Sequence, residues 1–287
     1  MSTSRRDFLA TSAAAAVAAA FGQQRLTGGL QAQAPEPVFT PLRRNVGYFT
    51  MRGGTIGYLV NPRAVVVVDS QFPAEARAFL DGLNTRSGNR AVDLLINTHH
   101  HGDHSGGNVK MQQMNAQVLA SEEARQNMVD GKQPGLPTVT IDHHGHVYLG
   151  GKHAELYHFG RAHTNGDLVV LFPAQRTLAA GDMFTFGDAT PQLIDYAGGG
   201  SAKEWPATLE SVLQLDFDTV VPGHGIVTSK REMAKFREST ITLRNRIHEM
   251  IVQKKTRDDI VQMLKKEFHW EQLHLDRGLD GALAELR

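Results

Sequence analysis

Between Thr98 and His104 the chain reads Thr-His-His-His-Gly-Asp-His, which puts His99, His101, Asp103 and His104 in the spacing H-x-H-x-D-H. Neutral imidazoles and a carboxylate are ligands for a divalent cation, zinc first, with iron and manganese also accommodated. A strand ending in a tight turn can aim alternate residues at one point, so His99 and His101 can share a cation. Gly102 then lets the chain bend, and Asp103 and His104 can face a second cation beside the first. His100, between them, must point the other way and is expected to pack or to support its neighbours. Of the 14 histidines, ten lie between His99 and His163. With no cysteine in the chain, thiolate zinc sites, iron–sulfur clusters, disulfides and cysteine nucleophiles are excluded.

Three further fragments follow in order, each just after a predicted strand: Gly160-Arg-Ala-His163-Thr-Asn-Gly-Asp167, Ala180-Gly181-Asp182, and Val221-Pro222-Gly223-His224-Gly225. With these the chain resembles the metallo-β-lactamase fold superfamily over roughly residues 40–228. The resemblance implies an α/β fold, an αβ/βα four-layer sandwich of two mixed sheets flanked by helices, with the site at one edge. It implies that His99, His101 and His163 bind one metal, that Asp103, His104 and His224 bind the other, and that Asp182 bridges both. Asp69 matches the family's acid at the end of an early strand, which braces the histidine loop and is not a ligand. The triplet His143, His144 and His146 falls at a predicted hairpin turn, where exposed polar residues are the default, and is read as solvated.

Two divalent ions about 3.5–4 Å apart can share a water and lower its pKa toward 7. The resulting hydroxide can attack a carbonyl or phosphoryl carbon or phosphorus, with Asp103 as the catalytic residue that orients it and passes a proton to the leaving group. The expectation is therefore a hydrolase of a small ester, lactone, thioester or amide, holding two divalent ions, zinc before iron or manganese. A β-lactamase is the alternative, followed by an iron-dependent sulfur dioxygenase. Asp182, where the cysteine-containing β-lactamase subclasses have cysteine, favours the broader hydrolase branch. No G-x-S-x-G element is present, and Gly198-Gly199-Gly200 lacks the strand and helix context of a phosphate loop.

The elements that must position these residues alternate between strands and helices. Strands are expected at 46–51, 56–60, 64–68, 92–97 and 117–120, the third being a β-branched run closed by Asp69. Pro73 opens a helix to about Leu83, with Ala76, Phe79, Leu80 and Leu83 on one face. A helix is expected from 107 to 114, and another from the cap-like Ser121-Glu122-Glu123. From Thr138 the pattern reads as hairpins: 139–141, 146–149, 154–159, 168–172 and 177–180. Then come a helix over 202–213, a strand at 219–221, and a long amphipathic helix over 230–253. The expected division is a catalytic domain over 36–230 with a helical extension, 231–287, packed on the same domain.

The 287 residues carry 30 Lys+Arg and 30 Asp+Glu. That balance gives no general field for nucleic acid, which is not an expected partner; a small-molecule substrate is. Arg5-Arg6-Asp7-Phe8-Leu9 precedes an alanine-rich run of about 14 residues, short of the roughly 20 needed to span a bilayer. The segment resembles a twin-arginine signal, ending near residue 34, which implies recognition by that export machinery and a periplasmic address. Residues 1–34 hold three Arg and one Asp, so the rest carries 27 basic and 29 acidic side chains. No stable membrane span is expected in the mature form, and the sequence does not specify an oligomer.

Overall fold

The computed structural model describes residues 35–187 and 192–287. The expected export signal lies outside the described residues. Glu36–Arg287 forms one compact unit.

Seven strands make the first sheet, in the order of the chain: β1 (Val38–Arg43), β2 (Val46–Thr50), β3 (Ile56–Asn61), β4 (Ala64–Val68), β5 (Leu94–Ile96), β6 (Gln117–Ser121) and β7 (Val139–Ile141). β1 to β4 meander antiparallel, whereas β4 to β7 run parallel. Parallel neighbours need crossovers, which α1 (Pro73–Ser87), α2 (Gly102–Ser105), α3 (Asn108–Gln113) and α4 (Glu122–Asp130) supply. The second sheet holds β8 (His144–Leu149), β9 (Lys152–Tyr157), β10 (Val169–Phe172), β11 (Thr177–Ala179), β12 (Thr219–Val221) and β13 (Thr228–Ser229). Its order is β13-β12-β11-β10-β9-β8, antiparallel except for β11 against β12.

β4 shows how the layers arise. All five residues of Ala64–Val68 are buried, and the two-residue period sends them to opposite faces. Val66 and Val68 join Leu94, Ile96, Leu156, Val170 and Phe172 in the core between the sheets. Val65 and Val67 meet Phe79, Leu80 and Leu83 of α1 on the outer face. Behind the second sheet, Val169, Leu171, Leu178 and Val220 pack on Trp205 and Leu209 of α5 (Trp205–Leu213) and on Met233, Leu243 and Ile247 of α6 (Lys230–Val252). The result is the helix–sheet–sheet–helix sandwich that the sequence implied. The C-terminal elements are α7 (Arg257–Phe268), α8 (Gln272–His274), a π-helical turn over Leu275–Leu279, and α9 (Asp280–Glu285). Ile260, Met263, Leu264 and Leu279 enter the same core as α6.

Several local expectations change. α1 runs one turn past Leu83, to Ser87, and stops where Gly88 turns left-handed with φ 65° and its N–H bonds to Asn84. Apolar periodicity ends at Leu83, but exposed polar residues can continue a helix until a residue that takes the left-handed cap. The helix expected over 107–114 is α3, Asn108–Gln113, and a short helix not anticipated, α2, precedes it and carries Asp103 and His104. The 139–141 strand is no hairpin member: β7 lies parallel to β6 and closes the first sheet. β1 was not anticipated, since its residues are mostly exposed or half-buried and carry no clean alternation.

Candidate metal centre

The candidate ligands hang from strand ends and from the loops that follow. Asp69 leaves β4 with φ 66°, a left-handed conformation that aspartate tolerates better than most residues. That bend turns its carboxylate under the histidine loop. Oδ1 accepts from the Thr98 N–H at 2.7 Å. Oδ2 accepts from the Thr98 hydroxyl at 2.7 Å and faces His104 Nδ1 at 2.8 Å. Asp69 thus anchors the chain after β5 and fixes the ring of His104. Gly181, after β11, takes φ 53°, and the Gly223 N–H after β12 bonds to its carbonyl at 2.9 Å. A Cβ at Gly223 would overlap Asp182 Oδ1. Glycine at position 223 is what allows the two strand-end loops to close around Asp182.

The side chains converge in two sets. One comprises His99, His101, His163 and Asp182, and the other Asp103, His104 and His224. His101 Nδ1 lies 3.1 Å from His99 Nε2 and 3.0 Å from His163 Nε2. His104 Nε2 lies 3.4 Å from His224 Nε2, and Asp103 Oδ2 lies 3.2 Å from the latter. Asp182 stands between the sets. Its Oδ2 is 3.9 Å from His99 Nε2 and 3.6 Å from His163 Nε2. Its Oδ1 is 3.1 Å from His104 Nε2 and 3.4 Å from His224 Nε2. Although Oδ1 is buried and close to both rings, it has no partner in hydrogen-bonding geometry.

The outer ring nitrogens show which atoms are left to face inward. His163 Nδ1 donates to the Leu193 carbonyl at 2.7 Å, leaving Nε2 with its lone pair. His104 Nδ1 faces Asp69, again leaving Nε2. For His101 the roles reverse: Nε2 donates to Asp195 Oδ2 at 2.7 Å and Nδ1 faces the cluster. Inward nitrogens of His99, His101 and His163 on one side and of His104 and His224 on the other, with an Asp182 oxygen beside each group, fit the donor sets of divalent cations. His100 faces away from the cluster, with Nε2 3.8 Å from Asp195 Oδ2 and Nδ1 3.4 Å from Asn127 Nδ2.

Electrostatics divide the two sets. Burial and the neighbouring His101 push His163 down to about 4, and burial and His104 lower His99 as well. The Asp182 charge lifts His224 to about 10 against burial. Burial opposes ionisation of His104 too, yet Asp182 and Asp69 raise it well above the ordinary imidazole value. Asp182 itself, pushed up by burial, is held far below the usual carboxylate range by His224 and His104.

Asp195 was missed by sequence reasoning. It is buried and receives His101 Nε2 and, at 3.2 Å, the guanidinium of Arg277 from the C-terminal elements. Burial pushes its carboxyl up, but His101 and Arg277 hold it well below the usual range. No motif marks it. Its backbone N–H reaches the His163 carbonyl at 2.9 Å, and its carbonyl takes the Gly200 N–H at 2.8 Å, so the glycine run serves packing here. The centre opens into a cavity of about 480 Å³ lined by Phe72, Asp103, Asp182, Leu193, His224, Leu273 and Arg277 among others. That volume suits a small molecule.

The family profile of the metallo-beta-lactamase superfamily matches residues 50–224, well over half of the chain and all of the ligand motifs. The chain belongs to the metallo-β-lactamase superfamily. It is a hydrolase-type enzyme of that superfamily, and the match leaves its substrate open. It is 25% identical over 170 residues to a metallo-beta-lactamase type 2 of Elizabethkingia meningoseptica, covering 58% of this chain and 67% of that protein. A metallo-beta-lactamase type 2 of Bacillus cereus is 26% identical over 191 residues, covering 63% and 72%. The chain is also 28% identical over 173 residues to the 2,4-dinitroanisole O-demethylase subunit alpha of a Nocardioides species, spanning about half (51%) of it. The solved metallo-beta-lactamase from Pontibacter korlensis superposes with TM-score 0.62 at 21% identity, over 71% of this chain and 99% of that one. That likeness concerns the fold. Members of the superfamily use divalent metals, and the His/Asp cluster has the donors for them.

Proposed function

We propose that this superfamily member is a two-cation hydrolase of a small ester, lactone, thioester or amide. One observation supports it above all: each oxygen of Asp182 faces a different set of imidazole nitrogens. In this reading His99, His101 and His163 hold one cation, Asp103, His104 and His224 the other, and Asp182 touches both. Zinc is the proposed metal, ahead of iron or manganese. When bound, the pair would supply Lewis acidity and lower the pKa of an attacking water toward neutrality.

The chain's own residues do the rest. Asp103 is about one-quarter exposed at the cavity, so its carboxylate can take a proton near the reacting centre and hand it to the leaving group. Asp69 and Asp195 orient His104 and His101 and keep their inward nitrogens unprotonated when they ligate. Leu193 and Leu273 give the cavity apolar walls beside the polar floor. No serine or cysteine nucleophile is needed.

A panel of lactones, thioesters, β-lactams and phosphodiesters tests this on the full chain. Turnover of an ester-like or amide-like member, abolished by a chelator and restored by zinc or manganese, is the expected outcome. Turnover that persists after the metals are stripped, or a covalent acyl-enzyme, would contradict it. Efficient hydrolysis of penicillins or carbapenems alone would move the substrate to β-lactams, the second reading, which the likeness to type 2 enzymes favours. Oxygen uptake with a persulfide and one iron per chain would instead identify a dioxygenase.

We also propose twin-arginine export to the periplasm, from Arg5-Arg6 before a short apolar run. Among the described residues no helix is long and apolar enough to cross a membrane. Replacing both arginines with lysine should hold the precursor in the cytoplasm, and unchanged export would refute the proposal.

A further inference from the structure

Away from the buried centre, the solvent face of the β8–β9 hairpin carries another concentration of ligand side chains. The antiparallel register sets His146 opposite Glu155 and Tyr148 opposite His153. Val147, Ala154 and Leu156 turn into the core between the sheets, so His146, His153 and Glu155 share the opposite face. His146 Nδ1 and His153 Nε2 lie 3.0 Å apart. With a carboxylate oxygen of Glu155, one ligand atom from each residue falls within 4.8 Å of the others. Two imidazole nitrogens at that separation either share one proton or bind one cation.

Neighbouring side chains orient the set. The Tyr157 hydroxyl donates to Glu155 Oε2 at 2.7 Å, while Oε1 turns toward His153, 3.8 Å from its Nδ1. The Tyr148 ring stacks on His153 at 4.6 Å with the planes 2° apart. A carboxylate held by a hydroxyl is an outer contact that metal ligands ordinarily have, and the stacked Tyr148 limits the rotation of the His153 ring. The strands are fixed by the core, so little chain ordering is left for a cation to impose.

We propose that His146, His153 and Glu155 form a separate surface metal site that takes one divalent cation with an affinity for imidazole: zinc, nickel or, most tightly, copper(II). The grouping is set by strand pairing. Sequence spacing points instead to His143, His144 and His146, but His143 lies before β8 and faces Asp142, with 3.6 Å between Nε2 and Oδ2. Two of the three donors come from β9, which no local motif connects to His146.

The test is zinc content by elemental analysis of the full chain after equilibration at micromolar free zinc. Wild-type protein should hold one zinc per chain more than the double variant His146→Ala/His153→Ala. Copper(II) added to the same samples should show, by electron paramagnetic resonance, an additional signal with two-nitrogen coupling in wild type that the variant lacks. Because the comparison is a difference, it stands whatever number of ions the buried centre takes. Unchanged circular dichroism and thermal midpoint in the variant would show that the fold is intact. Equal zinc content and equal copper spectra in the two proteins would overturn the proposal. Tyr157→Phe should weaken zinc binding about tenfold at unchanged stoichiometry, and unchanged affinity would remove Glu155 from the ligand set.

Discussion

Asp182 owes its place to opposing forces. Burial alone would drive its carboxyl to the neutral form, but four imidazoles surround it and His224 and His104 keep it ionised. The same charge favours the protonated form of His224, lifted to about 10, and of His104, whereas burial favours the neutral form of His163 and His99. A ligating imidazole must be unprotonated. Loading the metal-free protein near pH 7 should therefore release protons, the imidazole share of them from the Asp103–His104–His224 side. Affinity on that side should rise with pH toward the His224 value of about 10. Calorimetry in buffers of different ionisation enthalpy reads the number directly, and no release would show that the titration is misassigned. A second outcome follows from the bridge. Asp182→Ala should reduce metal content on both sides and lower turnover at least about a hundredfold. Asp216→Ala, at an exposed surface position, should leave both unchanged. Metal content and kcat for the pair of variants check this.

At the scale of elements, the site depends on where strands stop. Gly181 and Gly223 end neighbouring parallel strands, β11 and β12, and the missing side chain at 223 is filled by the Asp182 carboxylate. Gly223→Ala should displace Asp182 without removing any ligand. We expect retained secondary structure, loss of at least one bound metal and activity down by more than about tenfold; circular dichroism with elemental analysis distinguishes this from unfolding. The His99–His104 run was legible by its own chemistry, whereas His163, Asp182 and His224 were legible only through the order in which their fragments follow strands. Asp195 was not, since a lone aspartate acquires its role only when a long connection folds back against His101. β7 was misplaced for a related reason: three residues of alternating character do not tell which sheet they join. The left-handed stop of α1 at Gly88 was missed because apolar periodicity reports the buried face and not the helix length.

Across the whole molecule, the C-terminal elements complete both the core and the cavity. Met233, Leu243 and Ile247 of α6 share one cluster with the strands that carry Asp182 and His224, and Arg277 reaches Asp195 from beyond α8. Leu243 is 2% exposed. Leu243→Ala should cost about 2–5 kcal/mol, enough to lower the thermal midpoint by roughly 4–20 °C in a domain of this size. Scanning calorimetry of both proteins checks it, and a midpoint unchanged within a degree would place α6 outside the cooperative unit.

We propose two cations side by side, one among His99, His101 and His163 and one among Asp103, His104 and His224, with Asp182 between them. Anomalous diffraction at the zinc edge from crystals of the zinc-loaded protein tests this most directly. Two peaks about 3.5–4 Å apart, each next to a different oxygen of Asp182, are the expected result. A single peak between the two sets, or none within reach of Asp182, would contradict it.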